Sequence, residues 1–110
     1  MDISDWRKRI DELDLRLVEL LNERASAAKE IGRLKRDTQM AIYEPEREKE
    51  IFDNVRRHNG GPLPDRDLVQ LYERIIDVMR KLQRYEAQPD EQARAATRGG
   101  GTELEAEINE

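Results

Sequence analysis

"SDWRKRIDELDLRLVELLNERASAAKEIGRLKR", residues 4–36, is the stretch that decides the fold. Trp6, Ile10, Leu13, Leu17, Leu20, Ala27, Ile31 and Leu34 recur every three or four positions. That spacing lines them up on one stripe of an α-helix for about nine turns. Ser4 reads as the N-cap, with Asp5 and Trp6 in the first turn. The run ends in "KRDTQMAIY", where Asp37 and Thr38 favour a turn. At 1.5 Å per residue the helix spans roughly 50 Å, which points to a coiled coil or an element shared between subunits. Ala25, Ala27, Ala28 and Gly32 thin its second half and let another helix come close.

Two shorter helices follow. "YEPEREKE", residues 43–50, opens one that runs from about Glu46 to His58, with Ile51, Phe52 and Val55 on its buried side. Proline suits a first helical turn and acids suit the positive end of the helix dipole. Arg47 is the anomaly, a cation at the end where it is least favoured. "HNGGPLP" closes this helix, because Asn59 and Gly60 accept left-handed geometry and the prolines block continuation. Asp65 or Asp67 then starts a third, with Leu68, Leu71, Tyr72, Ile75, Ile76, Met79 and Leu82 on its apolar face, fading near Glu86. Two short helices cannot cover one of about 50 Å. The expectation is therefore all-α, a three-helix subunit with a long first helix, in an intertwined homodimer. Residues 1–86 form the helical domain. Residues 87–110, with Pro89, a run of three glycines and few large apolar residues, form an acidic tail expected to be disordered.

The composition narrows the function. Charged residues make up 41 % of the 110 and apolar ones 36 %, so the core is thin and partnership between subunits is expected. Cysteine is absent, which removes disulfides, thiol chemistry and cysteine-held metal and fits a reducing, cytoplasmic setting. No signal peptide and no membrane span is read from the sequence. Of the net charge of −5, the residues beyond Ala87 carry −4, and no basic stripe suggests nucleic acid.

Charges interrupt the apolar stripe. Heptad positions 3, 10, 17, 24 and 31 read Ile, Ile, Leu, Arg, Ile. Lys35 lies eleven residues after Arg24 and so faces within about 20° of it, with Ala28 making room between. Gln83 breaks the third helix in the same way. Arginine on an apolar stripe also snorkels to water or specifies helix register. The other reading is a cationic pocket for a carboxylate or phosphate, since two buried cations need a counter-charge. Arg7 lies 17 residues before Arg24, roughly 26 Å along the axis, so it reaches Arg24 only from an antiparallel partner. His58 reads as a dipole-stabilising residue near a helix C-terminus. With no nucleophile–base pair, metal cluster or phosphate loop, an enzyme built this way needs little proton transfer.

Taken together, "WRKRIDELDLRLVELLNERASAAKEIGRLKR", "IYEPEREKEIF" and "GPLPDRDLVQLYERIIDVMRKLQ" closely resemble the all-helical, AroQ-class chorismate mutases over residues 6 to about 85. The resemblance implies an intertwined homodimer whose two sites each draw on both chains. It also implies the pericyclic rearrangement of chorismate to prephenate in phenylalanine and tyrosine biosynthesis. By resemblance, Arg7 of the opposite subunit and Arg24 bind carboxylate, and Lys35 contacts a carboxylate and the ether oxygen. Arg47 is similar to the arginine that opens the second helix, Glu48 to the carboxylate that holds the substrate hydroxyl, and Gln83 to the residue that shares the ether oxygen. Glu44 falls where an aspartate is common and Met79 where one branch has a serine near a carboxylate.

Two other readings stay open. One is a helical binding module for the enzyme that makes the first shikimate-pathway intermediate, with the acidic tail as contact segment. The other is isochorismate–pyruvate lyase, which shares the helical fold and the cationic pocket.

Overall fold

The computed structural model describes residues 1–88, and every regular element among them is helical. Helix α1 spans Ile3–Thr38, α2 spans Pro45–His58 and α3 spans Asp65–Glu86. The 36 residues of α1 correspond to about 54 Å of helix, matching the longest dimension of the molecule, 54 × 34 × 20 Å.

Helix ends differ from the sequence reading in three places. The N-cap of α1 is Asp2, not Ser4: Asp2 accepts from the Asp5 N–H at 2.9 Å and Asp5 accepts from the Asp2 N–H at 3.1 Å. This reciprocal box satisfies two orphan donors where Ser4 would satisfy one. At the other end α1 continues through Asp37 and Thr38, whose hydroxyl donates to the Leu34 carbonyl at 2.7 Å. The turn falls on Gln39, in the left-handed region at φ 57°, and the Met40 N–H closes it on the Lys35 carbonyl at 2.9 Å. After α2, the left-handed residue is Gly61 at φ 74°, while Asn59 is extended. Asn59 instead organises the turn through its side chain. Its amide donates to the Leu63 carbonyl and to Asp65, and its oxygen accepts from the Gly61 N–H.

Helix α3 packs on α1, and α2 packs on α3. The buried residues of α1 are Ala28, Gly32 and Lys35, all in its last third. They meet Ile76, Met79 and Glu86, the buried residues of α3. No large side chain among the described residues is fully enclosed, while Trp6, Ile10, Leu17 and Leu20 are each more than half exposed. The radius of gyration is 17.2 Å, against roughly 12 Å for a compact chain of this described length. One chain therefore leaves most of the apolar stripe of α1 uncovered. The sequence-based expectation for residues 89–110 lies outside the described residues.

Candidate active site

Lys35 is the buried centre of the site. The last turns of α1 carry it inward, and the turn at Gln39 folds the following loop back over it. Its ammonium donates to the Ile42 carbonyl at 3.0 Å and to Gln83 Oε1 at 2.9 Å, and it pairs with Glu44 Oε1 at 2.7 Å. An ammonium has three N–H bonds and no acceptor. Two of them have a protein acceptor and the Glu44 carboxylate supplies the counter-charge, which is what burial of the charge requires.

Gln83 reaches Lys35 because α3 comes very close to α1 at Gly32. A Cβ placed on Gly32 would lie 2.8 Å from both the Cα and the carbonyl oxygen of Gln83, and 3.1 Å from Glu86 Cβ. Only a residue without a side chain permits that approach. Because lysine only donates, the amide oxygen of Gln83 must face it, which turns the Gln83 NH2 group outward as a free-facing donor.

The start of α2 supplies the opposite wall. Glu44 is the N-cap of α2 but makes no side-chain capping bond. Its carboxylate goes to Lys35 instead. One turn on, Glu48 meets Arg80 of α3: Nη2 donates to Oε1 at 3.1 Å, and Nε lies 3.0 Å from Oε2. The Nε–H is buried and points off that line, making the second contact an ion pair without a hydrogen bond. Arg80 also lies over the Tyr43 ring, 5.3 Å from its centroid. Arg47 is half exposed, with only a long 3.7 Å contact to Glu50.

These groups line one open cleft of about 370 Å³, mouth included. Of the residues singled out in the sequence, it brings together Arg24, Lys35, Glu44, Arg47, Glu48, Met79 and Gln83. Arg7 is not among them and lies exposed toward the far end of α1. Met79 is buried at 6 % exposure and gives the wall a thioether where a hydroxyl would donate. The sequence reading missed Arg80 and Ile42, and took Ile51 and Ile76 only as core. Arg80 stands three residues before Gln83, one helical turn away on the same face, and that spacing was the available signal.

The electrostatics favour a dianion. The lining holds four cations and two carboxylates, and each carboxylate already has a partner, Glu44 with Lys35 and Glu48 with Arg80. Arg24 has no ion pair or hydrogen bond among the described residues, and Arg47 has only its long contact to Glu50. Two guanidiniums thus remain to receive two negative groups. His58 is remote, at the end of α2, where its Nδ1–H donates to the Asn54 carbonyl at 2.8 Å. Among the described residues no group of His, Cys, Asp and Glu is arranged to hold a metal ion. None of their helices is long and apolar enough to cross a membrane.

Beside the cleft, Glu86 is buried at 5 % exposure. Burial pushes its carboxyl upward, but the Arg33 hydrogen bond and charge, with the Lys29 charge, outweigh this and hold it below the ordinary carboxylate range.

Comparison with known proteins agrees with this arrangement. The profile of the family described as chorismate mutase type II matches residues 6–84. The chain is 40 % identical over 87 residues to the bifunctional chorismate mutase/prephenate dehydratase of Aquifex aeolicus, covering 76 % of this chain and 24 % of that protein. It is 31 % identical over 83 residues to the chorismate mutase of Methanocaldococcus jannaschii, covering 74 % and 84 %. Among solved structures, the form II chorismate mutase of Thermus thermophilus superposes with a TM-score of 0.72 at 32 % identity, covering 74 % and 92 %. The chain thus spans about a quarter of the length of the Aquifex relative and most of the length of the other two.

Proposed function

The chain belongs to the chorismate mutase type II family, and we propose that it isomerises chorismate to prephenate in a site completed by a second copy of itself. The observation that carries the reading is the buried Lys35–Gln83 pair, 2.9 Å apart, at the inner edge of a net cationic cleft. Chorismate is a dicarboxylate with an ether linkage and a hydroxyl. In the rearrangement the ether C–O bond breaks as a C–C bond forms, so no proton is transferred and no cofactor is needed.

Each group then has a task. Arg24 and Arg47, with Arg7 of the second copy, hold the carboxylates and select the folded conformer in which the reacting carbons approach. Glu48, fixed by Arg80, accepts a hydrogen bond from the substrate hydroxyl. Negative charge grows on the ether oxygen as its bond to carbon lengthens. The Gln83 NH2 and a Lys35 N–H meet it, and they bind it more strongly in the transition state than in the ground state. Glu44 yields its place on Lys35 to the substrate.

Support for the homodimer comes from the uncovered stripe of α1 and from the 26 Å or so that separate Arg7 from Arg24 within one chain. The setting we propose is the cytoplasm.

Consumption of chorismate by the purified chain tests the reading, with isochorismate in a parallel assay. Turnover of chorismate alone is expected, falling about 10²- to 10³-fold in Lys35→Ala and in Gln83→Ala through kcat, the usual cost of losing one such donor. Pyruvate release from isochorismate as the faster reaction would overturn it.

A further inference from the structure

The buried carboxylate of Glu86 has no part in the chemistry above, yet it lies one helical turn beyond Gln83. Its Oε2 accepts from Arg33 Nε at 3.1 Å, and its Oε1 pairs with Lys29 Nζ at 3.5 Å. On α1, Lys29 and Arg33 flank Gly32, the residue on which the Gln83 backbone rests. The next inward-facing residue of α1 is Lys35. One short stretch of α1 therefore fixes three things: the depth of α3 through Gly32, its position along the axis through Glu86, and the partner of the Gln83 amide through Lys35.

Glu86 is buried but Lys29 and Arg33 stay more than two-fifths exposed. Such a pairing is a poor way to gain stability, because desolvation of the carboxylate and screening of its partners offset much of the attraction. What it supplies that an apolar residue does not is a fixed register. The Lys35–Gln83 hydrogen bond needs such a register, since from 2.9 Å a displacement of about 1 Å along the bond takes it beyond bonding distance and one across it bends it. Misplacement of that size at a reacting centre costs on the order of 100-fold in rate.

We propose that Gly32 and Glu86, the latter through Lys29 and Arg33, are positioning residues that hold the Gln83 amide at the height of the substrate's ether oxygen. The inference rests on the mutase reading for its kinetic consequence but not for its geometry. Gly32 sets the gap between the helices, because any Cβ there must push α3 away by several tenths of an ångström or more. Glu86 stops α3 from sliding, because its two oxygens are tied to residues on either side of that gap.

The test uses the full chain with Gly32→Ala, Glu86→Leu, Glu86→Gln, Gln83→Ala and the double variant Glu86→Leu/Gln83→Ala. Glu86→Leu is expected to lower kcat about tenfold with KM within about twofold, a part of the full misplacement cost. Gly32→Ala should lower kcat further. Glu86→Gln, which still accepts from Arg33, should recover most of the loss. In the Gln83→Ala background, Glu86→Leu should change kcat by less than twofold, because the group it positions is gone. Equal losses in both backgrounds, or a change confined to KM, would overturn the proposal. If Gly32→Ala fails to fold, the Glu86 series decides alone. A readout independent of turnover keeps the two readings apart. The side-chain amide signals of Gln83 in 15N NMR, assigned by their absence in Gln83→Ala, should shift in Glu86→Leu as the bond to Lys35 weakens. Unshifted signals sink the positioning role even if the enzyme is active. Shifted signals in a chain that ignores chorismate sustain the positioning and sink the mutase reading.

Discussion

Glu44 Oε1 lies 2.7 Å from Lys35 Nζ as its counter-charge, while the Ile42 carbonyl and Gln83 Oε1 accept its two hydrogen bonds. A substrate that needs Lys35 must displace one of the three. The Ile42 carbonyl is fixed in the backbone and Gln83 is seated on Gly32, while the Glu44 side chain is 41 % exposed and free to swing out. Glu44→Gln should therefore bind chorismate better, with KM lowered about fivefold, the scale of one partly screened like charge near a dianion. Steady-state kinetics at constant ionic strength measures this. A raised KM would mean that Glu44 stays in place and contacts the substrate itself.

Arg80 and Glu48 make a second prediction. With Arg80 replaced by Gln, Glu48 faces a dianionic substrate uncompensated, and KM should rise roughly tenfold. In a Glu48→Gln background the same replacement should matter little, because there is no charge left to balance. An undiminished effect in that background would show that Arg80 holds a substrate carboxylate directly. Either result is read from a double-mutant cycle on kcat/KM, which isolates the coupling between the two residues.

The helices and the cationic cleft were legible in the sequence because both follow from periodicity. Arg24 and Lys35 stood out by falling on a stripe that was otherwise apolar, and Gln83 by breaking the face of α3. Arg80 escaped for the opposite reason. It stands next to Lys81 on a helix rich in charge, and only the path of α2 past α3 reveals Glu48 opposite it. The Asp2 cap escaped because two candidate caps lie two residues apart, and the reciprocal bond with Asp5 decides between them. Gly32 was legible as a place of close approach, but not that Gln83 is what approaches. Interhelical register is set by contacts distant in sequence, and no local pattern encodes it.

The shared site is open to a mixing experiment. Sedimentation equilibrium at micromolar concentration should give about twice the 12.9 kDa chain mass. Arg7→Ala and Arg24→Ala homodimers should each lose most activity, because each lacks a carboxylate-binding fork. After subunit exchange, a mixed dimer has one site with both arginines intact and one with neither. With equal amounts and random exchange, half the dimers are mixed, so recovery should approach about one quarter of wild type by site counting. Mixed dimers seen by mass spectrometry without recovered activity would mean that the two arginines do not serve one site from opposite chains.

Acid should expose the Glu86 cluster. Burial raises the pKa of this carboxyl, and Arg33 and Lys29 lower it by more, so the net value lies below the ordinary 4.5. A carboxyl depressed in the folded state stabilises the fold fully above its unfolded pKa, and that stabilisation disappears as pH falls through the folded value. Glu86→Gln removes the charge at every pH. At neutral pH it should cost roughly 1–3 kcal/mol, the range for a hydrogen bond to a charged group. The gap between wild type and variant should stay constant down to about pH 5 and then close as pH drops below 4.5. Urea unfolding at fixed chain concentration, followed by circular dichroism from pH 7 to pH 3, measures the gap directly. A difference that persists unchanged at pH 3 would show that the stability gap does not come from the carboxylate's charge.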